Sequence, residues 1–493
     1  MEKVTSPTYR PPASEGVLAL FEQGLQKMAA EDYSVALGLF EKVLVEQPDI
    51  PNVWEKCSVV LQKLGRYGEA LETNTKAIQL YRSGAKALVV DVKNTWTSQQ
   101  WISEGDLLFS CHRYEEAIAA YDAALQLDPH LPDTLYNKGV SLFNLGRFDE
   151  AITAYDAAIA LQPTLYEAFN NKGLSLVKLG RYKDAIAIYD AALTLKPDLH
   201  QTFNNKGLAL AKLGCYDAAI VAYDMALKFN PNKYSALYNQ GLALAKLDRH
   251  TEAVAAYDAA LALKPNLQDA FYKKGLSLAA LGLHEDAIVA YDASLAIKPG
   301  LYDELYGKGV SLSELGRYDE ALSVYDAILV TRPDDLNVLH QKGEALWRLG
   351  HYKDAVAIYG AILAIQPNDV NALCNQGHAL FKLGRFNQAI TVYDAALAVK
   401  PDLPDVLHSK GIALTNLGRY EAAIAAHDAT LTIRPGDYAA LYRKGLILHR
   451  LGRYQDAIMA YNAALAIKSD FQAAIRRKEA ALLKLALQRR HYH

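Results

Sequence analysis

The sequence predicts an all-α fold, an α-solenoid of stacked antiparallel helix pairs, from three observations. Prolines recur at 129, 163, 197, 231, 265, 299, 333, 367, 401 and 435, each 34 residues after the last. A fixed period of this size marks stacked supersecondary units rather than separate domains. Aligned on it, Ala36, Ala70, Ala117, Ala151, Ala185, Ala219, Ala253, Ala287, Ala321, Ala355, Ala389, Ala423 and Ala457 share one position in thirteen copies. Within a copy the apolar residues follow helical spacing.

The copy from Leu131 to Pro163 justifies each element in turn. Leu135, Val140, Leu142, Phe143 and Leu145 mark a first helix, which Gly146 and Arg147 interrupt. Asp149 and Glu150 open a second helix, where carboxylates favour the positive end of its dipole. It runs through Ala151, Tyr155, Ala158 and Leu161 to Pro163, and the residue before a proline is pushed out of helical geometry. Gly139 and Ala151 are small where the two helices touch, and Tyr155 fills the wider gap. Asp or Asn follows the proline at Asp198, Asn232, Asn266, Asp334, Asn368 and Asp402, placed to cap the next first helix.

Composition agrees. The 493 residues would ordinarily suggest about three domains, but 31 tyrosines against 12 phenylalanines, and 30 glycines, are explained by repeat positions, leaving little for a separate catalytic domain. With 51% apolar and 22% charged residues, the chain is globular in composition. A net charge of −3 offers no global cationic field for nucleic acid or an anionic membrane. Cys57, Cys111, Cys215 and Cys374 stand apart without a CxxC pair, which suits a reducing compartment. No stretch is long and apolar enough for a membrane span or a secretory signal, so a cytoplasmic protein is expected.

The intervals from Gly173 through Tyr182, Ala185, Tyr189 and Ala192 to Pro197, together with Trp54 and Trp101, resemble the tetratricopeptide repeat family over residues 15–469. Ser58 in place of the glycine, Asn74 in place of a tyrosine, and Arg82 and Ser469 in place of prolines are local departures. The expected organisation is a disordered proline-containing tail at 1–14, two copies at 15–82, an insertion at 83–95, eleven copies at 96–469 and a solvating helix with a basic end at 470–493. The insertion reads either as a helix extension with a loop or as a hinge between copies two and three.

The resemblance implies a right-handed superhelix whose first helices line a concave groove that binds peptides or protein segments. Two residues before the first-helix glycine stand Asn137, Asn171, Asn205, Asn239 and Asn375. An amide can donate to and accept from a peptide main chain, and this ladder is similar to the one lining the repeat groove of the O-linked N-acetylglucosamine transferases. It lapses at Lys273, Gly307, Gln341, Ser409 and Arg443. Tyr136, Tyr238, Tyr272 and Tyr306 are the expected aromatic contacts. His340 and Glu344, then Cys374 and His378, fall four apart on successive first helices, near Trp347 and Phe381. Such helices pack roughly 8–10 Å apart, too far for zinc bonds of roughly 2.0–2.3 Å, so a distinctive binding pocket is expected and no metal. Lysines before the glycines, such as Lys138 and Lys172, and aspartates after the tyrosines, such as Asp122 and Asp156, predict inter-helix ion pairs.

The position after the glycine is mostly Leu, Val or Ile, as at Val140, Leu174 and Leu208, which does not fit the family's clamp for chaperone carboxyl termini. No phosphate-binding loop, nucleophile elbow or metalloprotease motif occurs in a fitting context. The expected protein is therefore no enzyme and has no cofactor. It is a scaffold whose partners are protein or peptide segments, with no nucleic acid and no membrane insertion. An assembly factor or chaperone for a multiprotein complex, or the substrate-recruiting partner of a separate glycosyltransferase, are the alternatives.

Overall fold

The computed structural model describes residues 15–83 and 97–490, which hold 27 α-helices and no strand. They fall into two compact units that divide between Leu247 and Asp248. Unit one contains α1 (Glu15–Ala29), α2 (Tyr33–Glu46), α3 (Pro51–Lys63), α4 (Tyr67–Arg82), α5 (Ser98–Ser110), α6 (Tyr114–Leu127), α7 (Pro132–Asn144), α8 (Phe148–Leu161), α9 (Tyr166–Lys178), α10 (Tyr182–Leu195), α11 (His200–Lys212), α12 (Tyr216–Phe229) and α13 (Tyr234–Lys246). Unit two contains α14 (His250–Leu263), α15 (Gln268–Ala280), α16 (His284–Ile297), α17 (Tyr302–Glu314), α18 (Tyr318–Thr331), α19 (Leu336–Arg348), α20 (Tyr352–Ile365), α21 (Val370–Lys382), α22 (Phe386–Val399), α23 (Pro404–Asn416), α24 (Tyr420–Ile433), α25 (Tyr438–Arg450), α26 (Tyr454–Ile467) and α27 (Gln472–Arg490). Apart from Ser83, the expected insertion lies outside the described residues, as does the expected tail at 1–14.

The turn that closes most hairpins follows from its glycine. At the end of α7, Leu145 is still helical and Gly146 swings to φ +77°, where a side chain is costly. The Arg147 amide then donates back to the Leu142 carbonyl at 2.9 Å, satisfying a carbonyl that the helix end would otherwise orphan. Three copies make the same turn without glycine, at Glu31, His112 and Asp248, with φ of 56–59°. Beyond the turn, Arg147 closes the first turn of α8 by donating Nε–H to Glu150 at 2.7 Å.

Packing inside a hairpin rests on a ring laid against a glycine. A Cβ at Gly139 would stand 2.5 Å from Tyr155 Cε1, and one at Gly207 would stand 2.5 Å from Tyr223 Cε1. No real carbon approaches that closely, so the tyrosine occupies the space that the missing side chain leaves. Tyr155, Ala151 and Ala158 are wholly buried. The departures in copy two obey the same rule in reverse. With Asn74 in place of the ring, position 58 carries a serine whose hydroxyl donates to the Ala70 carbonyl at 2.9 Å. The buried Asn74 amide donates to the Glu104 carboxylate of the next copy. One apolar cluster, from Val17 and Phe21 through Val60 and Ala70 to Leu107 and Tyr121, runs through copies one, two and three.

Two expectations about polar groups fare differently. The lysine–aspartate pairs form: Lys138–Asp122, Lys172–Asp156 and Lys206–Asp190 in unit one, and Lys274–Asp258, Lys308–Asp292, Lys342–Asp326, Lys410–Asp394 and Lys444–Asp428 in unit two, all at 2.5–2.6 Å. Each joins a second helix to the first helix of the next copy. The caps do not sit where expected. Among the described residues the side chains that cap first helices are Thr97 and, two residues after the proline, Asp335, Asp369 and Asp437. The residue directly after it, such as Asp198, lies in the turn, and the cap position there is Leu199 without a side-chain bond. The proline and its successor are consumed in leaving the preceding helix, so the new helix begins one residue later than the pattern suggests.

In unit two, α27 buries Ala474 and Ala481, and Phe471, just before it, packs against Tyr442, ring centroids 4.9 Å apart. It covers the last hairpin, as an open stack requires, while Leu482, Leu483 and Leu487 stay exposed.

Candidate functional site

The asparagines of unit one are placed by first helices lying side by side, and that packing decides what their amides do. Asn137 on α7 donates Nδ2–H to Asp106 on α5 at 3.1 Å. Asn171 on α9 donates to the Tyr136 hydroxyl at 2.9 Å. Asn205 on α11 donates to Asn170 Oδ1 at 3.2 Å, and Asn239 on α13 donates to Asn204 Oδ1 at 3.3 Å. Each rung thus runs from one copy back to the preceding one. A primary amide carries two N–H donors and one carbonyl acceptor. One donor is used inside the protein, and the Oδ1 atoms of Asn137, Asn205 and Asn239 have no protein donor among the described residues. All four asparagines are half-buried.

A cavity of about 460 Å³ opens over the middle of this ladder, lined by Tyr136, Tyr166, Asn170, Asn171, Lys196 and Thr202 among others. Asn170 is its hub: its Oδ1 accepts from Thr202 at 3.1 Å and from Asn205, and its Nδ2 donates to Asn171 Oδ1 at 3.3 Å. Lys196 donates to the Tyr166 hydroxyl at 3.2 Å and lies 4.5 Å from the centre of that ring. Burial pushes the Tyr136 hydroxyl above its ordinary pKa, against the opposing bond from Asn171, so Tyr136 stays protonated at neutral pH.

Asp106, Asn170 and Asn204, which receive the rungs, were not among the predicted residues. For Asp106 a signal existed, because it stands at a position that is Leu, Val or Ile in most copies. Its carboxylate accepts from Tyr121 at 2.8 Å as well as from Asn137, and burial raises its pKa against those two bonds.

The remaining predicted residues, other than the half-buried Tyr238, lie in unit two. His340 pairs with Asp369 at 3.0 Å. Burial opposes ionisation of Asp369, but the Ala372 amide and His340 outweigh it and hold the carboxyl below its usual pKa. Glu344 pairs with Arg348 at 3.1 Å on its own helix. His378 meets Ser409 at 3.5 Å and the Tyr393 ring at 5.6 Å, and burial lowers its pKa. Cys374 is half-buried, and burial, then Asp369, raises its thiol. No cluster of three or more metal-capable side chains occurs among the described residues. Trp347 and Phe381 lie edge-on to Tyr352 and Phe386 in their own hairpins, at 6.1 and 5.3 Å. Tyr306 stacks on Tyr302 at 6.0 Å, Lys273 lies 4.8 Å from the Tyr272 ring centre, and Asn375 is half-buried beside Cys374 on α21. No described helix is long and apolar enough to cross a membrane.

The repeated hairpins also match known family models at the level of sequence. A model described as tetratricopeptide repeat matches residues 136–200, 204–268 and 409–473, a second of the same description matches 312–376, and one described as TPR repeat matches 105–146 and 377–418. The chain belongs to the tetratricopeptide repeat family. Proteins of this family generally mediate protein–protein interactions and are generally non-enzymatic scaffolds. A tetratricopeptide relative, the small glutamine-rich tetratricopeptide repeat-containing protein 2 of Mycosarcoma maydis, is 24% identical over 107 residues, which is 22% of this chain. The chain spans 27% of that relative's length. Among solved structures, YrrB, described as a TPR protein with an unusual peptide-binding site, is 25% identical, with 38% of this chain and 97% of that one covered and a TM-score of 0.35. A tetratricopeptide repeat protein from Parabacteroides merdae is 18% identical, with 50% and 98% covered and a TM-score of 0.36. The Cut9–Hcn1 assembly is 17% identical, with 95% and 97% covered and a TM-score of 0.34.

Proposed function

We propose that this chain is a protein-interaction scaffold that holds an extended segment of a partner along the first helices of unit one. The observation that carries the reading is the ladder itself. Four successive asparagines, each oriented by its own backward hydrogen bond, keep amide groups in register beside an open cavity. A side chain already held in place loses little freedom on binding, and preorganisation of this kind favours affinity. Main-chain amides of an extended segment are the donors that the ladder's carbonyl oxygens would accept, so little sequence selectivity is expected from them.

The test is a display selection of extended peptides on the purified chain, followed by titration of the selected binders against variants. Joint replacement of Asn137, Asn171, Asn205 and Asn239 by Ala should weaken them at least tenfold, in line with loss of roughly 1 kcal/mol or more over several hydrogen bonds. Tyr136→Phe, which removes a rung acceptor but no amide, should weaken them less. Equal binding by the quadruple variant, with its helical signal intact, refutes the ladder's role.

A further inference from the structure

At the other end of the chain the ladder position carries a different chemistry. Arg443 stands two residues before Gly445, in the register of the asparagines, and Arg477 on α27 stands 34 residues further on, in the same register one unit later. Both line a single cavity of about 730 Å³ in unit two, together with Arg450. No aspartate or glutamate lines it, and its apolar floor comes from Ile412 and Leu446.

These guanidiniums are not neutralised. Some arginines elsewhere in unit two meet carboxylates, as Arg434 meets Asp405 at 2.7 Å and Arg317 meets Glu320 at 2.6 Å, while Arg385 and Arg419 pair with none among the described residues; the cavity is distinguished by gathering three arginines at one opening. Among the described residues Arg443 and Arg477 have no carboxylate within salt-bridge distance, and Arg450 donates only to the neutral Tyr420 hydroxyl at 3.2 Å. All three are exposed. His449 is a fourth lining group, with its Nε2 buried and without a partner. Burial, then the charges of Arg477 and Lys484, hold its imidazole below the ordinary pKa, so the field around it is positive. The chain as a whole carries a charge of −3, so this concentration is local.

We propose that this cavity binds an acidic segment of a partner protein, its carboxylates taken by Arg443, Arg450 and Arg477. A guanidinium meets a carboxylate through two parallel N–H bonds. First helices of neighbouring copies pack roughly 8–10 Å apart, and an extended chain advances roughly 3.3 Å per residue. An extended chain turns every second side chain to the same face, about 6.6 Å apart, so Arg443 and Arg477, whose long side chains close the difference, match acidic residues two apart on an extended segment. The cavity is far larger than one small anion needs, and Ile412 and Leu446 offer the stems of those side chains an apolar surface. This site does not depend on the unit-one ladder and would stand if that reading failed.

The experiment uses the full chain and a fluorescein-labelled, glutamate-rich peptide with both termini blocked, against the same peptide with glutamine in place of glutamate. Anisotropy should show binding of the glutamate peptide only, weakening as salt rises. The double variant Arg443→Ala with Arg477→Ala should lower its affinity at least roughly tenfold. Arg66→Ala, at an exposed ion pair of unit one, should leave it unchanged. Because the replaced side chains are exposed, the melting curve should not move. Equal binding of the glutamine peptide, or an unchanged affinity in the double variant, overturns the proposal. So does retention of inorganic phosphate by the chain with no binding of the acidic peptide, which would mark a small-anion site instead.

Discussion

His427 occupies the position that is tyrosine in its neighbours Tyr393 and Tyr461, and replacing it with tyrosine should remove part of the protein's acid sensitivity. The imidazole is wholly buried, lies over Gly411, where a Cβ would approach its Cε1 to 2.7 Å, and has no partner for either ring nitrogen. The His408 ring stands 5.2 Å away. Burial, then His408 and Arg443, push the His427 pKa down to about 4, against the opposing pull of Asp437 and Asp428. In the unfolded chain the ordinary value is 6.5. Between these values the unfolded chain binds the extra proton and the folded chain does not. Stability is therefore fully present above about pH 6.5 and is lost as pH falls toward 4. The gap, at roughly 1.4 kcal/mol per pH unit, comes to roughly 3 kcal/mol in all, of which about 2 kcal/mol is lost between pH 7 and 5. Urea unfolding of the wild type and His427→Tyr at both pH values isolates this contribution, since the other histidines are common to both. The variant should lose about 2 kcal/mol less than the wild type over that interval. Equal losses, or an NMR titration of His427 Cε1–H in the native chain near pH 6.5, would refute the reasoning.

Three further outcomes follow from the packing. Gly139→Ala should destabilise unit one by about 1–3 kcal/mol, read by thermal melting, because its Cβ meets the Tyr155 ring at 2.5 Å. Glu31→Gly should stabilise by about 0.5–1 kcal/mol in the same assay, since Glu31 holds φ +59°, whereas Gly146→Ala, at φ +77°, should destabilise by a comparable amount. Lys172→Met, which breaks the pair with the half-exposed Asp156, should cost less than about 1 kcal/mol, and raising the salt concentration should shrink that difference.

The residues that made the fold legible are those whose size is dictated by a neighbour in the same hairpin. Gly139 and Tyr155 imply each other, and so do Ser58 and Asn74, because the volume removed from one helix is filled by the other. A rule of that kind repeats with the period and survives substitution in pairs, so it can be read without coordinates. The caps stand one residue later than the proline pattern suggests, because the proline's immediate successor, such as Asp198, is used up in the turn and the cap position is the residue after it, Leu199 there and Asp335 in its own copy. The ladder was legible in position but not in direction. Asn171 could have donated to solvent, to a ligand or to the preceding helix, and only the adjacency of Tyr136 decides it.

The basic end shows why register alone is insufficient. Lys308 and Arg477 are both cations at repeat-defined positions on first helices or their equivalent. Lys308 lies beside Asp292, which the period supplies in the same way, so its charge is spent on holding one copy to the next. Arg443 and Arg477 have no such periodic partner, because the ladder position is filled by Glu22 in copy one and by amides, glycine, serine or lysine in the other copies, and nothing opposite it repeats as a carboxylate. A charge that the repeat itself does not neutralise is left to be neutralised by something that is not part of the repeat. That separates the lysine rows, which belong to the scaffold, from the arginine cavity, which belongs to recognition.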